Sequence, residues 1–331
     1  MAYAGSLSGG WVYEDVRPGL VPIAQLPLSW EIRPRWLTHQ TYALTTWLVG
    51  ADPLSHRAVS LGWHLLNGCL FWLVARRAVA VPVAVLAVGL FLLWPVQVES
   101  VAAVAYRGEL VAATWLLLAL LCSLHGWRFV AWICAAAAIT GKEAGIVALA
   151  LVPLWAYWTG PHWTRRQAIL WGAASSGLVV AGLVVVRDAS YRLLAPIDAI
   201  TGAVAMTGHL VIVGLWSAVD SRVLSIDHDW QGLNATMGIA TLCWAVALYL
   251  AGSLWVRRAL IWVGVALSLR ILLPSSEYHE HHLYASWVLV SLAVASSVFT
   301  ERQCVMWPQL SSKSPTSTIC PATAHRSSVS S

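Results

Sequence analysis

The feature that most constrains this chain is a series of long apolar runs separated by short polar connections. A helix needs about 20 apolar residues to cross a hydrocarbon core of about 30 Å. Charged residues make up only 11% of the chain, against about 25% in soluble domains. We therefore expect an all-α, polytopic transmembrane bundle of about nine spanning helices plus interfacial helices. The predicted spans are residues 57–75, 81–94, 110–125, 127–140, 144–158, 167–186, 236–256, 259–273 and 283–299.

Basic pairs in the short connections predict the orientation of these spans. Arg76-Arg77, Arg165-Arg166 and Arg257-Arg258 should be cytoplasmic, because inner loops keep arginine and lysine. The chain must then cross the membrane an even number of times between the second and third pairs, yet three apolar runs lie there. We assign the run 199–219 as interfacial or re-entrant, because charged residues flank it on both sides.

This topology places every carboxylate except Glu301 on the external side. A carboxylate-rich outer face suits chemistry at the membrane surface, but external loops that merely face water have the same composition. The net charge of +5 follows from the arginines of the inner loops, and the twenty-one tryptophans suit membrane interfaces. Nucleic acid is therefore not an expected partner.

The first external segment, "GGWVYEDVRP", carries the adjacent carboxylates Glu14 and Asp15. Neighbouring carboxylates raise one another's pKa, so one can act as a base while the other orients a substrate or a metal. The alternative is an acidic loop that only faces solvent.

The second segment, "FLLWPVQVESVAAVAYRGELVAA", follows a span that should end at Trp94 and Pro95. We expect a mostly apolar helix that carries Glu99, Arg107 and Glu109. Ionisable groups at membrane depth usually face a cavity or a partner. An ion pair that ties two helices together is the competing interpretation.

The third segment, "ITGKEAGI", contains Lys142, one of two lysines in the chain. Gly141 should mark a turn between two short helices, with Lys142 and Glu143 at the helix mouth. A partly desolvated ammonium near helix N-terminal amides resembles a phosphate site. A salt bridge within the turn is the alternative.

The fourth segment, "LPSSEYHEHHLYASW", contains Glu280, His281 and neighbouring histidines. Histidine and glutamate at these spacings can bind zinc. Nothing fixes a tetrahedral set of ligands, however, so hydrogen bonding to a polar substrate is the preferred interpretation.

In their order along the chain, these segments resemble the membrane region of the transmembrane and tetratricopeptide-repeat-containing protein O-mannosyltransferases and their bacterial relatives, which are GT-C glycosyltransferases. The resemblance covers nearly all of the chain up to about residue 300. The motifs that carry it are Trp11 through Asp15, Arg33-Pro34-Arg35, Gly50 with Pro53, His64 through Asn67, Pro95 through Leu110, Lys142-Glu143 and Glu280 through Tyr284.

Three features depart from that family. The family carries a spanning helix before the acidic loop, and we expect either a late start site or a lost helix here. Its repeat array is missing, since no period of about 34 residues is visible. In its place lies a tail rich in serine, threonine and proline, which we expect to be disordered. Trp94 occupies the position of a family histidine.

The resemblance implies an inverting, mannosyltransferase-like enzyme that moves a sugar from a polyprenyl-phosphate donor to an acceptor hydroxyl. Glu14 or Asp15 would be the catalytic base, because the attacking hydroxyl must lose a proton. The cations that would bind the leaving lipid phosphate are Arg33, Arg107 and Lys142. The residues that would orient these cations and the sugar hydroxyls are Glu99, Glu109, Glu143, Glu280, His281 and Tyr284.

The expected location is the inner membrane, multi-pass, with the active face on the periplasmic side. The expected partners are the lipid-linked donor, membrane lipids and an acceptor of unidentified class. No cofactor is required and no metal site is predicted, although the acidic loop can hold a divalent metal. The predicted domains are an external acidic loop with an interfacial helix (1–56), a multi-pass domain (57–300) and a disordered cytoplasmic tail (301–331).

Two other functions stay open. A non-catalytic, truncated relative could act as an envelope scaffold or bind a lipid-linked sugar. A transporter with an intramembrane ion site is the second, but the charges cluster at one face and no inverted repeat is visible.

Overall fold

The residues that the structure describes form α-helices, two short 3₁₀ helices and the connections between them. The structure is a computed structural model, and it describes residues 35–94, 97–159, 164–167, 169–174, 246, 249, 250, 256–258, 260, 261, 288, 290–292, 294 and 295. Within these residues there is no strand, so the predicted all-α class is confirmed. They all belong to one unit of the chain, Met1–Phe299, and none belongs to the second unit, Thr300–Ser331.

The continuous helices lie between residues 36 and 159. They are α1 (Trp36–Val49), α2 (Pro53–Ala78), α3 (Val81–Leu93), α4 (Gln97–Ala102), α5 (Arg107–Leu124), α6 (Arg128–Gly141) and α7 (Val147–Thr159). The 3₁₀ helices are Val104–Tyr106 and Glu143–Ile146. Helix α5 packs against α2, α6 and α7, and it is the central helix of this region.

Local sequence explains where the long helix α2 begins and ends. Asp52 caps it, because its Oδ1 accepts a hydrogen bond of 2.9 Å from the backbone N–H of Ser55, and Pro53 occupies the first helical position. At the other end Val79 is extended, and α3 begins two residues later. The connection is therefore too short to hold more than a tight reversal of the chain.

Contacts between side chains fix the relative directions of α2 and α5. Ser60 near the start of α2 bonds Arg107 at the start of α5, and Asn67 further along α2 bonds Leu110 and Thr114. The contacts advance together along both helices, so α2 and α5 run parallel.

This arrangement defines two ends of the bundle. We call the "basic end" the end where α2 and α5 finish, with the arginine pair at 76–77 and the turn at 125–127. We call the "α1 end" the opposite one, where α2 and α5 begin and α6 finishes. Helix α1 lies there, because Thr38 Oγ1 donates a 2.6 Å hydrogen bond to the carbonyl of Gly141.

Burial in α1 is the reverse of that in a soluble helix. Its buried side includes Thr38, Tyr42 and Thr45, whereas Trp47 and Leu48 are exposed. Helix α2 repeats this pattern, since its buried residues include His56, Arg57, Ser60, His64 and Asn67 while Leu54, Leu65 and Leu66 are exposed. An apolar exterior around a hydrogen-bonded interior is expected of helices that face lipid.

A conventional apolar core lies closer to the basic end. Phe71 and Phe91 pack edge to face with ring centroids 5.6 Å apart, and Leu117 and Leu120 are buried in the same cluster. Aromatic pairs of this geometry stabilise the fold by about 1 kcal/mol beyond the contribution of the apolar area that they bury. This core holds α2, α3 and α5 together and so positions the polar groups of the α1 end.

By length and composition, α2 and the segment Val104–Leu124 are the described helices able to cross a membrane. Helices also lie at the predicted spans 81–94, 127–140 and 144–158, but α3 has 13 residues and would reach only about 20 Å. The predicted count of about nine spans therefore stays a prediction.

Other predictions fall outside the described residues. The spans 236–256, 259–273 and 283–299 lie there except for isolated helical positions, as do most of the span 167–186, the run 199–219 and the tail 301–331. The division into three domains also stays a prediction.

The prediction that a single helix carries Glu99, Arg107 and Glu109 is wrong, because the helix is interrupted at Ala103. Ala103 has an extended backbone (φ −83°, ψ 116°). Side chains capture the carbonyls on both sides of it: Arg57 Nε donates to Ala102 at 3.0 Å, and the Tyr42 hydroxyl donates to Val104 at 2.7 Å. These carbonyls are satisfied without a continuous helix.

Candidate functional site

An ion pair between Lys142 and Glu109 lies at the α1 end. Lys142 Nζ is 2.8 Å from Glu109 Oε1, and the two side chains are only 6% and 2% exposed. Glu109 is in the first turn of α5, and Lys142 directly follows α6 with an extended backbone (φ −156°, ψ 150°). The pair ties two helices together, which was the competing interpretation for the second segment.

Glycine makes the close approach of α6 and α5 possible at this point. A Cβ atom added to Gly141 would lie 3.1 Å from the backbone N of Ala112. At Gly145, in the 3₁₀ helix that follows, an added Cβ would collide with the carbonyl of Ala138. The "TGKEAG" stretch therefore needs both glycines to bring Lys142 against α5.

Arg107 has no exposed surface, and it is the most completely enclosed arginine, lysine or acidic side chain in the part of the chain that the structure describes. Its Nε donates to Ser60 Oγ at 3.2 Å, and its Nη1 donates to the Thr41 carbonyl at 3.2 Å and to Thr45 Oγ1 at 3.0 Å. Its Nη2 contacts the His56 carbonyl at 2.7 Å and His56 Nδ1 at 3.2 Å. These five hydrogen bonds equal the five N–H groups of a guanidinium in number.

The Arg107 contacts also fix the state of His56. Arginine is a donor only, so Nδ1 of His56 must accept and the ring proton must lie on Nε2. Nε2 lies 3.2 Å from Thr46 Oγ1, which is then the acceptor. The ring is neutral and bridges α1 and α5. Tyr42 completes the enclosure, with its ring centroid 4.7 Å from Arg107 Cζ.

A polar stripe along α2 continues this network into the bundle. His64 Nε2 lies 3.2 Å from the Leu92 carbonyl at the end of α3. Asn67 Nδ2 donates to the Leu110 carbonyl at 3.0 Å, while its Oδ1 accepts from Thr114 Oγ1 at 2.6 Å. Both the nitrogen and the oxygen of the Asn67 side-chain amide are therefore hydrogen-bonded in the interior.

Helix α4 carries two buried polar side chains of a different kind. Gln97 and Ser100 have no exposed surface. Neither the Gln97 amide nor the Ser100 hydroxyl has a hydrogen-bond partner among the residues that the structure describes. A buried polar group without a partner typically lowers the free energy of unfolding by about 1 to 3 kcal/mol. These two side chains of α4 therefore destabilise the α1 end.

The structure brings three of the predicted site residues into one region. Arg107 and Glu109 lie in the first turn of α5, and Lys142 reaches Glu109 from α6. The backbone of Glu99 lies in α4 and that of Glu143 in the second 3₁₀ helix. The predicted site residues outside the described part of the chain are Glu14, Asp15, Arg33, Glu280, His281 and Tyr284.

Sequence reasoning missed the surroundings of Arg107. His56, Ser60, His64 and Asn67 recur every three or four residues along α2, which puts them on one helix face. A polar face on an otherwise apolar helix was a usable indication of a buried polar network. A salt bridge within the turn was the alternative interpretation for Lys142, and the partner that the structure describes comes from α5 instead.

Among the described residues, no group of three or more histidine, cysteine, aspartate or glutamate side chains could hold a metal ion. Comparison with protein-family models, curated proteins and solved structures found no match to this chain.

Proposed function

We propose that this chain is a membrane glycosyltransferase that transfers a sugar from a polyprenyl-phosphate donor to an acceptor hydroxyl at the external face. The observation that carries the proposal is the buried Lys142–Glu109 pair at one end of an apolar bundle. Buried charges are expensive, and in an apolar helical bundle they usually serve a polar substrate. We also propose that the chain lies in the inner membrane and crosses it several times.

Lys142 is the proposed phosphate ligand. Its ammonium is a compact charge with three donor hydrogens, so one lysine can contact a carboxylate and a phosphate oxygen at once. Glu109 would hold it in place before the donor binds. As the bond between sugar and phosphate breaks, negative charge grows on the lipid phosphate, and a fixed cation stabilises that charge.

Arg107 takes a different part in this scheme from the one that the sequence predicted. Its five hydrogen bonds to α1 and α2 make it a positioning residue, which fixes the start of α5 and therefore the location of Glu109. Arg33 stays a candidate for a second phosphate contact, on the sequence resemblance alone.

The base would come from the acidic loop. Glu14 or Asp15 would remove the proton of the acceptor hydroxyl as its oxygen attacks the anomeric carbon, and the configuration at that carbon would invert. Glu99, Glu143, Glu280, His281 and Tyr284 would orient the sugar. No metal is required, although the acidic loop can hold one.

Native mass spectrometry of the purified chain in mild detergent tests the phosphate site. We expect polyprenyl phosphate or its glycosylated form to copurify with the wild type and to be lost from Lys142→Ala. Arg128→Ala is the matched control, because it removes a cation at the basic end, and it should retain the lipid. Absence of carrier from folded wild type after addition of lipid extract would contradict the proposal.

One observation favours a second function, a non-catalytic relative that binds a lipid-linked sugar or scaffolds an envelope complex. A protein in which these charges only hold the helices together would show the same five hydrogen bonds of Arg107 and the same Lys142–Glu109 ion pair. Bound carrier without transfer to any hydroxyl acceptor, in wild type and in Glu14→Gln alike, would favour this alternative.

A further inference from the structure

We propose that the basic end of the bundle binds the headgroups of anionic phospholipids. The residues that carry the proposal are the exposed pairs Arg76-Arg77 and Arg165-Arg166. This surface lies opposite the candidate site, and the inference requires only that the chain lies in a membrane, whatever reaction it performs.

The structure brings arginines from distant parts of the sequence to this end. Arg76 and Arg77 lie in the last turn of α2, which finishes on the same side as α5. Arg128, at the start of α6, donates from Nη2 to Gln167 Oε1 at 3.3 Å, and Gln167 directly follows Arg165 and Arg166. The two pairs therefore belong to one end of the bundle.

A later part of the chain reaches the same end. The guanidinium of Arg258 lies 5.8 Å from the ring centroid of Trp158, one residue before the end of α7. Its neighbour Arg257 is exposed. The basic end therefore collects arginines from four separate positions along the chain.

The charge of this end has one sign among the described residues. The described carboxylates all lie at the α1 end, at Asp52 and Glu109 and at the backbone positions of Glu99 and Glu143. A surface with several arginines and no described carboxylate attracts anions. Guanidinium groups match phosphate oxygens with two parallel hydrogen bonds.

The shape of the basic end favours a membrane surface over a soluble anion. The connections at 79–80 and 125–127 are short, so the arginines stay close to the level where the apolar helices end. Trp127 and Phe129 are 62% and 77% exposed beside them. Exposed aromatic rings next to basic residues are typical of the headgroup level of a bilayer.

Electron paramagnetic resonance of the reconstituted full chain tests the proposal. The bilayer is phosphatidylcholine with a minor fraction of phosphatidylglycerol, and either lipid carries the spin label. We expect the relative association constant of phosphatidylglycerol to exceed that of phosphatidylcholine by about fivefold for each arginine that contacts the lipid at low salt. The preference should fall as ionic strength rises, and no more with phosphate than with chloride of equal ionic strength.

Arg76→Gln with Arg77→Gln, and Arg165→Gln with Arg166→Gln, should each lower this preference at least fivefold. The lysine versions, which keep the charge and so the orientation, should lower it less. Arg35→Asn is the matched control, because it removes an exposed arginine at the α1 end while asparagine tolerates the positive φ of 62° there.

Equal immobilisation of both lipids by the wild type would overturn the proposal, and this measurement needs no variant to fold. An equal loss in Arg35→Asn would also overturn it. Displacement of the lipid by inorganic phosphate beyond the chloride effect would identify a site for free anions instead.

Discussion

Nη2 of Arg107 contacts two acceptors of a single residue, the carbonyl oxygen and the ring Nδ1 of His56. One guanidinium nitrogen therefore fixes both the first turn of α2 and the tautomer of its side chain. Since Thr46 Oγ1 lies on the other side of the ring, this relationship joins α1, α2 and α5 at a single point.

Replacement of His56 tests that relationship. In His56→Leu, the buried N–H that now bonds Nδ1 loses its acceptor, and we expect a loss of about 1 to 3 kcal/mol of unfolding free energy. In His56→Asn the amide oxygen is as far from Cα as Nδ1, so more stability should be kept. Denaturation in mixed micelles measures both. Equal losses in the two variants would contradict the assigned hydrogen bond.

The tautomer can also be observed directly. Histidine labelled with ¹⁵N should show an unprotonated Nδ1 and a protonated Nε2 for His56, assigned by comparison with His56→Asn. A signal from a doubly protonated ring at neutral pH would contradict the network, because it would place two donors 3.2 Å apart.

The Lys142–Glu109 pair should show strong coupling in a double-mutant cycle. Lys142→Met leaves a buried carboxylate without its described counter-ion, and we expect the free energy of unfolding to fall by about 3 to 5 kcal/mol. Lys142→Met combined with Glu109→Leu removes both charges and should recover most of that loss. Additive effects in thermal unfolding would show that the two groups act independently.

Gly141 should be sensitive to a single added methyl group. Gly141→Ala forces a Cβ to within 3.1 Å of the Ala112 backbone, and overpacking of this kind costs about 1 to 3 kcal/mol. Gly62→Ala and Gly89→Ala are the matched controls, because nothing lies within 4 Å of their added Cβ atoms. They should be neutral or stabilising, as alanine is the better helix former.

Two buried amides should respond oppositely to an apolar substitution. Asn67→Leu breaks two internal hydrogen bonds and should lower the melting temperature. Gln97→Met replaces an amide that has no described partner and should be neutral or raise it. A large loss in Gln97→Met would show that this side chain has a partner in the folded protein.

The cap of α2 should make stability depend on pH at the acid end. Hydrogen bonds from Ser55 hold the pKa of Asp52 below its ordinary value of 3.8. The charged cap therefore stabilises the folded chain above that value, and the contribution is lost as the pH falls through the lowered pKa. Asp52→Asn should keep a cap but lose this dependence, which thermal unfolding between pH 2 and about 5 can measure.

The sequence predicted the helices well where apolar runs and local breakers agree. The turn at Gly141 and the break after Leu93 follow from glycine and proline in the chain. The break at Ala103 could not be predicted, because its causes are the side chains of Tyr42 and Arg57, which are distant in sequence. Local patterns contain no information about such partners.

The candidate site shows the same division. The residue types at 107, 109 and 142 predicted buried charge, since ionisable groups in apolar segments need partners. Which residue pairs with which depends on the parallel packing of α2 and α5 and on the return of α6. The described partner of Lys142, Glu109, therefore comes from a helix that the local pattern around Lys142 does not indicate.

The inverted burial of α1 and α2 has a consequence for assembly. Helices that are apolar on the outside can slide against one another in lipid with little change in contact energy, so shape alone specifies their alignment poorly. A slip of one turn between α2 and α5 would separate Arg107 from its acceptors on Ser60 and His56, and Asn67 from the Leu110 carbonyl. The hydrogen-bonded interior therefore selects the correct alignment of the helices, because a misaligned pair leaves buried polar groups without partners.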